Sequence, residues 1–151
     1  MVGYTLAAVG VLSIIVQGGL IGRFIKRFGE RKTLLIGLAC GTVGFTLYGF
    51  APTGAWFWAV MPIAALWGVS MPAAQALMTR QVDAHEQGRL QGAIVSLSSV
   101  AGILGPTVFT RAFADVTGRN LHTGWAGVTF WLAAAMLGGA LWLAWRATRG
   151  R

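Results

Sequence analysis

The residues able to do acid–base or covalent chemistry are few and scattered. Among 151 residues there are four acids (Glu30, Asp83, Glu86 and Asp115), two histidines (His85 and His122) and one cysteine, Cys40. No set of them has the spacing used to ligate a metal or activate a nucleophile, and no nucleophile elbow, phosphate-binding loop or GxGxxG turn occurs. His85 and His122 fall in gaps expected on opposite sides of the molecule, so they cannot share a site. No enzyme activity, metal or cofactor is expected. Gln17 and Gln75 instead stand inside long apolar runs, where an amide is costly unless it bonds a neighbour or faces a watered cavity. Each is either a bond between helices or a contact to a bound molecule, and Met71 lies beside Gln75 in the same run. Ser96, Ser98 and Ser99 can bond back to their own helix and carry less information.

The positive charge is organised more sharply. Lysine and arginine number twelve against four acids, a formal charge of +8. A nucleic-acid module would spread that charge over a polar surface. Here Arg23, Lys26, Arg27, Arg31 and Lys32 fill one short gap, Arg80 and Arg89 another, and Arg146, Arg149 and Arg151 the tail; Arg111 and Arg119 fall at a third gap. If the apolar runs cross a bilayer, ten of the twelve basic residues lie on one face, the bias of a cytoplasmic side. No nucleic-acid partner is expected.

The elements that position these residues follow from composition. The chain is 56% hydrophobic and 11% charged, whereas a soluble domain carries about a quarter charged residues. Five stretches approach the roughly 20 apolar residues that cross a hydrocarbon core: 3–22, 33–51, 56–78, 92–113 and 125–145. None contains an Asp, Glu, Lys or His, and the one Arg is Arg111, in the last turn of the fourth. Backbone groups in lipid must be satisfied within the segment, so all five are expected to be α-helices of a polytopic bundle, all-α in class. The expected placement is a bacterial inner membrane, with the amino terminus outside and the carboxyl terminus in the cytoplasm.

Small residues and prolines shape such a bundle. Gly18 and Gly22 form one small-xxx-small pair, Gly37 and Gly41, extended by Gly44, another, and close helix approach is expected at each. Pro62, Pro72 and Pro106 each lack a backbone donor and are expected to bend their helices. Gly105 precedes Pro106. Pro52, Thr53 and Gly54 read as a tight turn. Trp56, Trp58, Trp125, Trp142 and Trp145 fall at run ends as interfacial belt residues, while for Trp67 and Trp131, which fall mid-run, filling between helices is an equal alternative.

The basic gap reads Gly22-Arg23-Phe24-Ile25-Lys26-Arg27-Phe28-Gly29-Glu30-Arg31-Lys32. A helix-ending glycine, a basic pair, a glycine turn and a second basic pair resemble the cytoplasmic loop signature of the major facilitator superfamily. In the stronger copy of that signature an Asp stands four residues after the first Gly; Lys26 stands there, so the segment is similar to the weaker, second-half copy. The succession Met71-Pro72-Ala73-Ala74-Gln75-Ala76, Arg80-Gln81-Val82, Gln87 to Gly92 and Gly105 to Thr110 resembles the tetracycline-resistance efflux branch, helices eight to twelve.

The resemblance implies five helices of a carboxyl-terminal half of a proton-driven antiporter exporting small hydrophobic drug-like compounds held between two six-helix halves, a related exporter rather than a tetracycline exporter proper. It implies a cytoplasmic gate at Gly22, Lys26, Arg27, Gly29, Arg31 and Lys32. Tetracycline exporters carry a buried His and a buried Asp where this chain has Ser13 and about Gly41, so coupling acids are expected in an amino-terminal half outside this sequence. Its partners would be the bilayer and that other half, without which no transport is expected. Two other readings stay open: a complete small homo-oligomeric membrane protein, and a non-transport membrane subunit.

Overall fold

The computed structural model describes residues 2–119 and 127–149. Trp125, at the start of the fifth expected run, and His122, in the gap before it, lie outside them, as does Arg151. The architecture is an all-α transmembrane bundle with no strand among the described residues. Among the described residues four helical segments are long and apolar enough to cross a membrane: Leu6–Gly49, Gly54–Thr79, Ala84–Val116 and Val128–Thr148.

The first of these is two rods. α1, Val2–Ile15, has no charged residue and continues through a widened π turn at Val16–Leu20 into α2, Ile21–Gly49. The π turn falls on Gln17-Gly18-Gly19, where glycine's low helix preference yields most easily to an inserted residue. Gly29 then divides α2, with φ 76° and ψ 166°, a backbone region open essentially to glycine alone. The expected loop across residues 22–32 is therefore corrected: it is helix up to Phe28, one glycine pivot, and helix again from Glu30. Thr33, fully buried, secures the second rod by donating its Oγ1 hydrogen to the Gly29 carbonyl at 2.7 Å.

The segment carrying two prolines is interrupted between them. α3 spans Gly54–Ala65, a 3-10 turn spans Leu66–Val69, and α4 spans Ser70–Thr79. Pro72 sits in the first turn of α4, where its missing N–H is no loss, and the carbonyl its ring would crowd is that of Gly68, inside the 3-10 turn. Pro72 thus opens a new helix rather than bending an existing one. Pro62 lies within α3, and Pro106 lies inside α5, Gln87–Arg119, whose backbone remains helical through it. α6 spans Val128–Thr148.

The end of α2 is closed by side chains from the next helix. The Trp56 indole donates to the Leu47 carbonyl at 3.1 Å, satisfying an acceptor that the ending helix leaves open. Thr53 accepts from the Trp56 backbone N–H at 3.3 Å and caps α3.

The core lies where α2 meets α4 and α6: Leu34, Leu38 and Ala73 are buried there, with Leu77, Leu137 and Leu141 packed against them. Elsewhere large apolar side chains face outward, among them Leu97 at 72% and Ile103 at 73% exposure on α5. The apolar window of α5 buries none of its residues. In water such a surface would aggregate; in a bilayer it faces lipid or further helices.

Candidate substrate cavity and charged face

Close approach of helices makes the site. A Cβ at Gly37 would lie 3.0 Å from Ser70 and Val69, one at Gly41 3.0 Å from the Trp67 ring, and one at Gly44 2.9 Å from the Ala64 backbone. These glycines run along one stripe of α2 and let it lie against the α3–α4 segment almost backbone to backbone. Gly18, Gly22 and Gly105 behave differently, because nothing approaches within 4 Å of where their Cβ atoms would be. Among the described residues the close approach expected at Gly18 and Gly105 is not seen, although Val16 beside Gly18 is buried against the 3-10 turn at Gly68.

Bringing α2 to α3 gathers aromatic rings. Tyr48 stacks on Phe57 with centroids 4.2 Å apart and planes 18° apart. Phe45 meets Trp67 edge to face at 5.7 Å, and Phe130 of α6 lies 5.6 Å from Tyr48. Each contact contributes about 0.5–1.5 kcal/mol beyond area burial, and together the rings form one continuous wall. With Ser13 and Gln17 of the first segment it surrounds a cavity of about 410 Å³. A second cavity of about 670 Å³ is lined by Gln17, Trp67, Ser70, Met71 and Pro72. Gln17, Trp67 and Gly68 line both.

The structure therefore brings together Gln17 and Met71, and separates Gln75 from them. Gln75 is half-buried on α4 but lines neither cavity. The reason is register: Gln75 lies one helical turn beyond Met71 on α4, and of the two only Met71 lines a cavity with Gln17. The π turn sets Gln17 at the junction of the cavities. The aromatic cluster was missed in the sequence, where Trp67 was expected either to fill space or to join the belt; the usable signal is Phe45 and Tyr48, three residues apart, preceded by Gly41 and Gly44. At Gly41 itself, the Trp67 ring takes the space any side chain would need.

The charged face is held by two contacts. Glu30, its side chain only 9% exposed, pairs with Arg80 beyond α4 at 3.0 Å. Arg31 donates from Nε to Thr148 Oγ1 of α6 at 3.0 Å. The Gly29 pivot thus clasps the ends of α4 and α6. Of the expected gate residues, Arg31 makes one of these contacts, while Lys26, Arg27 and Lys32 extend exposed along the same segment. Glu30 was missed, although it is the single acid in the basic stretch.

Apolar rods with outward-facing large side chains, a charged face at one end and aromatic cavities between helices define a multi-pass membrane protein. The chain belongs to the Major Facilitator Superfamily, whose family model matches residues 1–151. It is similar to a tetracycline resistance protein, class G, of Vibrio anguillarum (40% identical, covering 90% of this chain and 33% of the relative). The class C protein of Escherichia coli is 35% identical over the same shares of each chain. The human hippocampus abundant transcript 1 protein is 33% identical over 78% of this chain and 26% of its own length. The chain thus spans about a third of the length of the tetracycline resistance proteins it matches. No solved structure matches it.

Proposed function

We propose that these helices form part of the carboxyl-terminal half of an exporter for flat, hydrophobic, drug-like molecules, with tetracyclines among the candidate substrates. The observation that carries this reading is the aromatic cavity behind Gln17, which offers ring faces for stacking and an amide for one directed hydrogen bond. Ser13 lines the same cavity and Met71 the adjoining one, and the relatives' names agree with this reading. With no ionisable side chain in the cavity walls apart from the Tyr48 phenol, proton coupling falls to acids in further helices of the full transporter. The basic face is cytoplasmic, and the pivot segment with Lys26, Arg27, Arg31 and Lys32 holds one state of the transport cycle.

The test is drug efflux from a hypersensitive bacterial host expressing the complete transporter that carries this chain. Efflux of a planar hydrophobic drug that stops when the proton gradient is collapsed is expected, with Trp67→Ala lowering it about tenfold at unchanged membrane abundance. Absence of efflux across a panel of such compounds overturns the proposal. Efflux that survives loss of the gradient overturns the proton coupling alone.

A further inference from the structure

A third cavity of about 490 Å³ lies away from both substrate cavities, between α2 and α6, and it is open along its side. Leu35, Ile36 and Ala39 form one wall; Gly138, Trp142 and Trp145 form the other. Lys32 lies one helical turn before Leu35 and Ile36 on the same stripe of α2. Arg149 continues the stripe of Gly138, Trp142 and Trp145 on α6. The Arg31–Thr148 hydrogen bond brings those two helix ends to one level. The guanidinium of Arg149 sits 4.0 Å over the Trp145 ring, and that of Arg146 5.3 Å over the Trp142 ring. These cations therefore rest on the two indoles that wall the groove.

Lys32 has no acid partner among the described residues, and the nearby Glu30 is engaged by Arg80. Three cations thus crowd the charged mouth of an apolar slot. We infer that this groove is a binding site for an anionic phospholipid: one acyl chain lies against Leu35, Ile36 and Ala39, and the phosphate-bearing headgroup is held by Lys32, Arg146 and Arg149. Charge complementarity selects the occupant, because a zwitterionic lipid fills the slot equally well but brings a cationic headgroup group to a cationic mouth. The indoles suit this position, with an apolar body for the chain and a ring face that aligns each guanidinium.

The experiment is native mass spectrometry of the protein in mild detergent, titrated with dioleoylphosphatidylglycerol and separately with dioleoylphosphatidylcholine. Each cation near the surface is worth about fivefold in binding, so phosphatidylglycerol is expected to bind at least about tenfold more tightly. The triple variant Lys32→Gln, Arg146→Gln, Arg149→Gln is expected to erase that preference. Arg89→Gln, which removes an exposed cation outside the groove, is expected to leave it intact, and Ala39→Phe is expected to weaken binding of both lipids severalfold. The site is overturned by equal binding of the two lipids, by a preference that survives the triple variant, by an Arg89→Gln loss as large as the triple variant's, or by unchanged binding in Ala39→Phe. Full displacement of the lipid by glycerol phosphate, which has the headgroup charge without the chains, overturns the acyl slot. The triple variant removes only exposed side chains, and its thermal stability in detergent is measured alongside.

Discussion

At the residue scale, function rests on where a side chain is missing. At Gly44 the facing atom is the Ala64 backbone, which cannot swing aside, so even a methyl must push two helices apart. Gly44→Ala is expected to destabilise the bundle by about 1–3 kcal/mol, the usual cost of overpacking. Gly102→Ala on α5 meets nothing within 4 Å and is expected to be neutral or slightly stabilising through helix preference. The single cysteine supplies the measurement: the temperature at which half-buried Cys40 becomes reactive to a thiol dye should fall for the first variant and not for the second. Trp67 shows the converse, a large side chain whose place was made by Gly41.

At the element scale, the informative features are the interruptions. The π turn, the Gly29 pivot and the 3-10 turn each break a rod where a regular helix would misplace Gln17, the Glu30–Arg31 pair or Trp67. Gly29→Ala forces a Cβ into a backbone region of positive φ and is expected to cost about 1–3 kcal/mol, read in the same thermal assay, although space around it is open. The Glu30–Arg80 pair joins the pivot to α4. Arg80 is 75% exposed, so solvent screens the pair, and a double-mutant cycle of Glu30→Gln and Arg80→Gln is expected to return a coupling of no more than about 1 kcal/mol. A value of several kcal/mol would show that the clasp is a principal stabiliser of the fold rather than a weak tie between helix ends.

The interruptions also divide what was legible from what was not. Helix identity was readable because each run is apolar through its length, and Gly29 was readable as a turn. That residues 22–28 stay helical was not, because a basic stretch between two apolar runs looks like a loop by hydropathy whether or not its backbone bonds continue. Nor could the proline positions say which would start a helix and which would sit within one, since Pro72 and Pro106 differ only in what surrounds them.

At the scale of the whole molecule, α5 governs. Its apolar window buries no residue, and α1 carries Tyr4 at 79% and Ile14 at 72% exposure. Surfaces of that extent call for lipid or additional helices on both flanks. We expect the 151-residue chain expressed alone to insert in the membrane yet give no drug efflux above vector, and its co-expression with the remaining helices of the transporter to restore efflux. Proton-dependent efflux by the chain alone, in a susceptibility or dye-accumulation assay, would show that these helices complete a path by themselves.

Membrane residence, helical class and the clustering of positive charge were determined by the sequence itself. The physical reason is that transfer into lipid adds residue by residue along the chain, so a run of 20 apolar residues declares itself without its neighbours. The cavities are of another kind. Gln17, Phe45, Trp67 and Phe130 come from distant parts of the chain, and they share a wall only because glycines at 37, 41 and 44 let α2 lie against the α3–α4 segment. The lipid groove likewise needs Lys32 and Arg149 level with each other, which the Arg31–Thr148 bond accomplishes. Tertiary structure alone decided these, because ring stacking and hydrogen bonds depend on distances of a few ångströms between segments whose order in the sequence does not specify them.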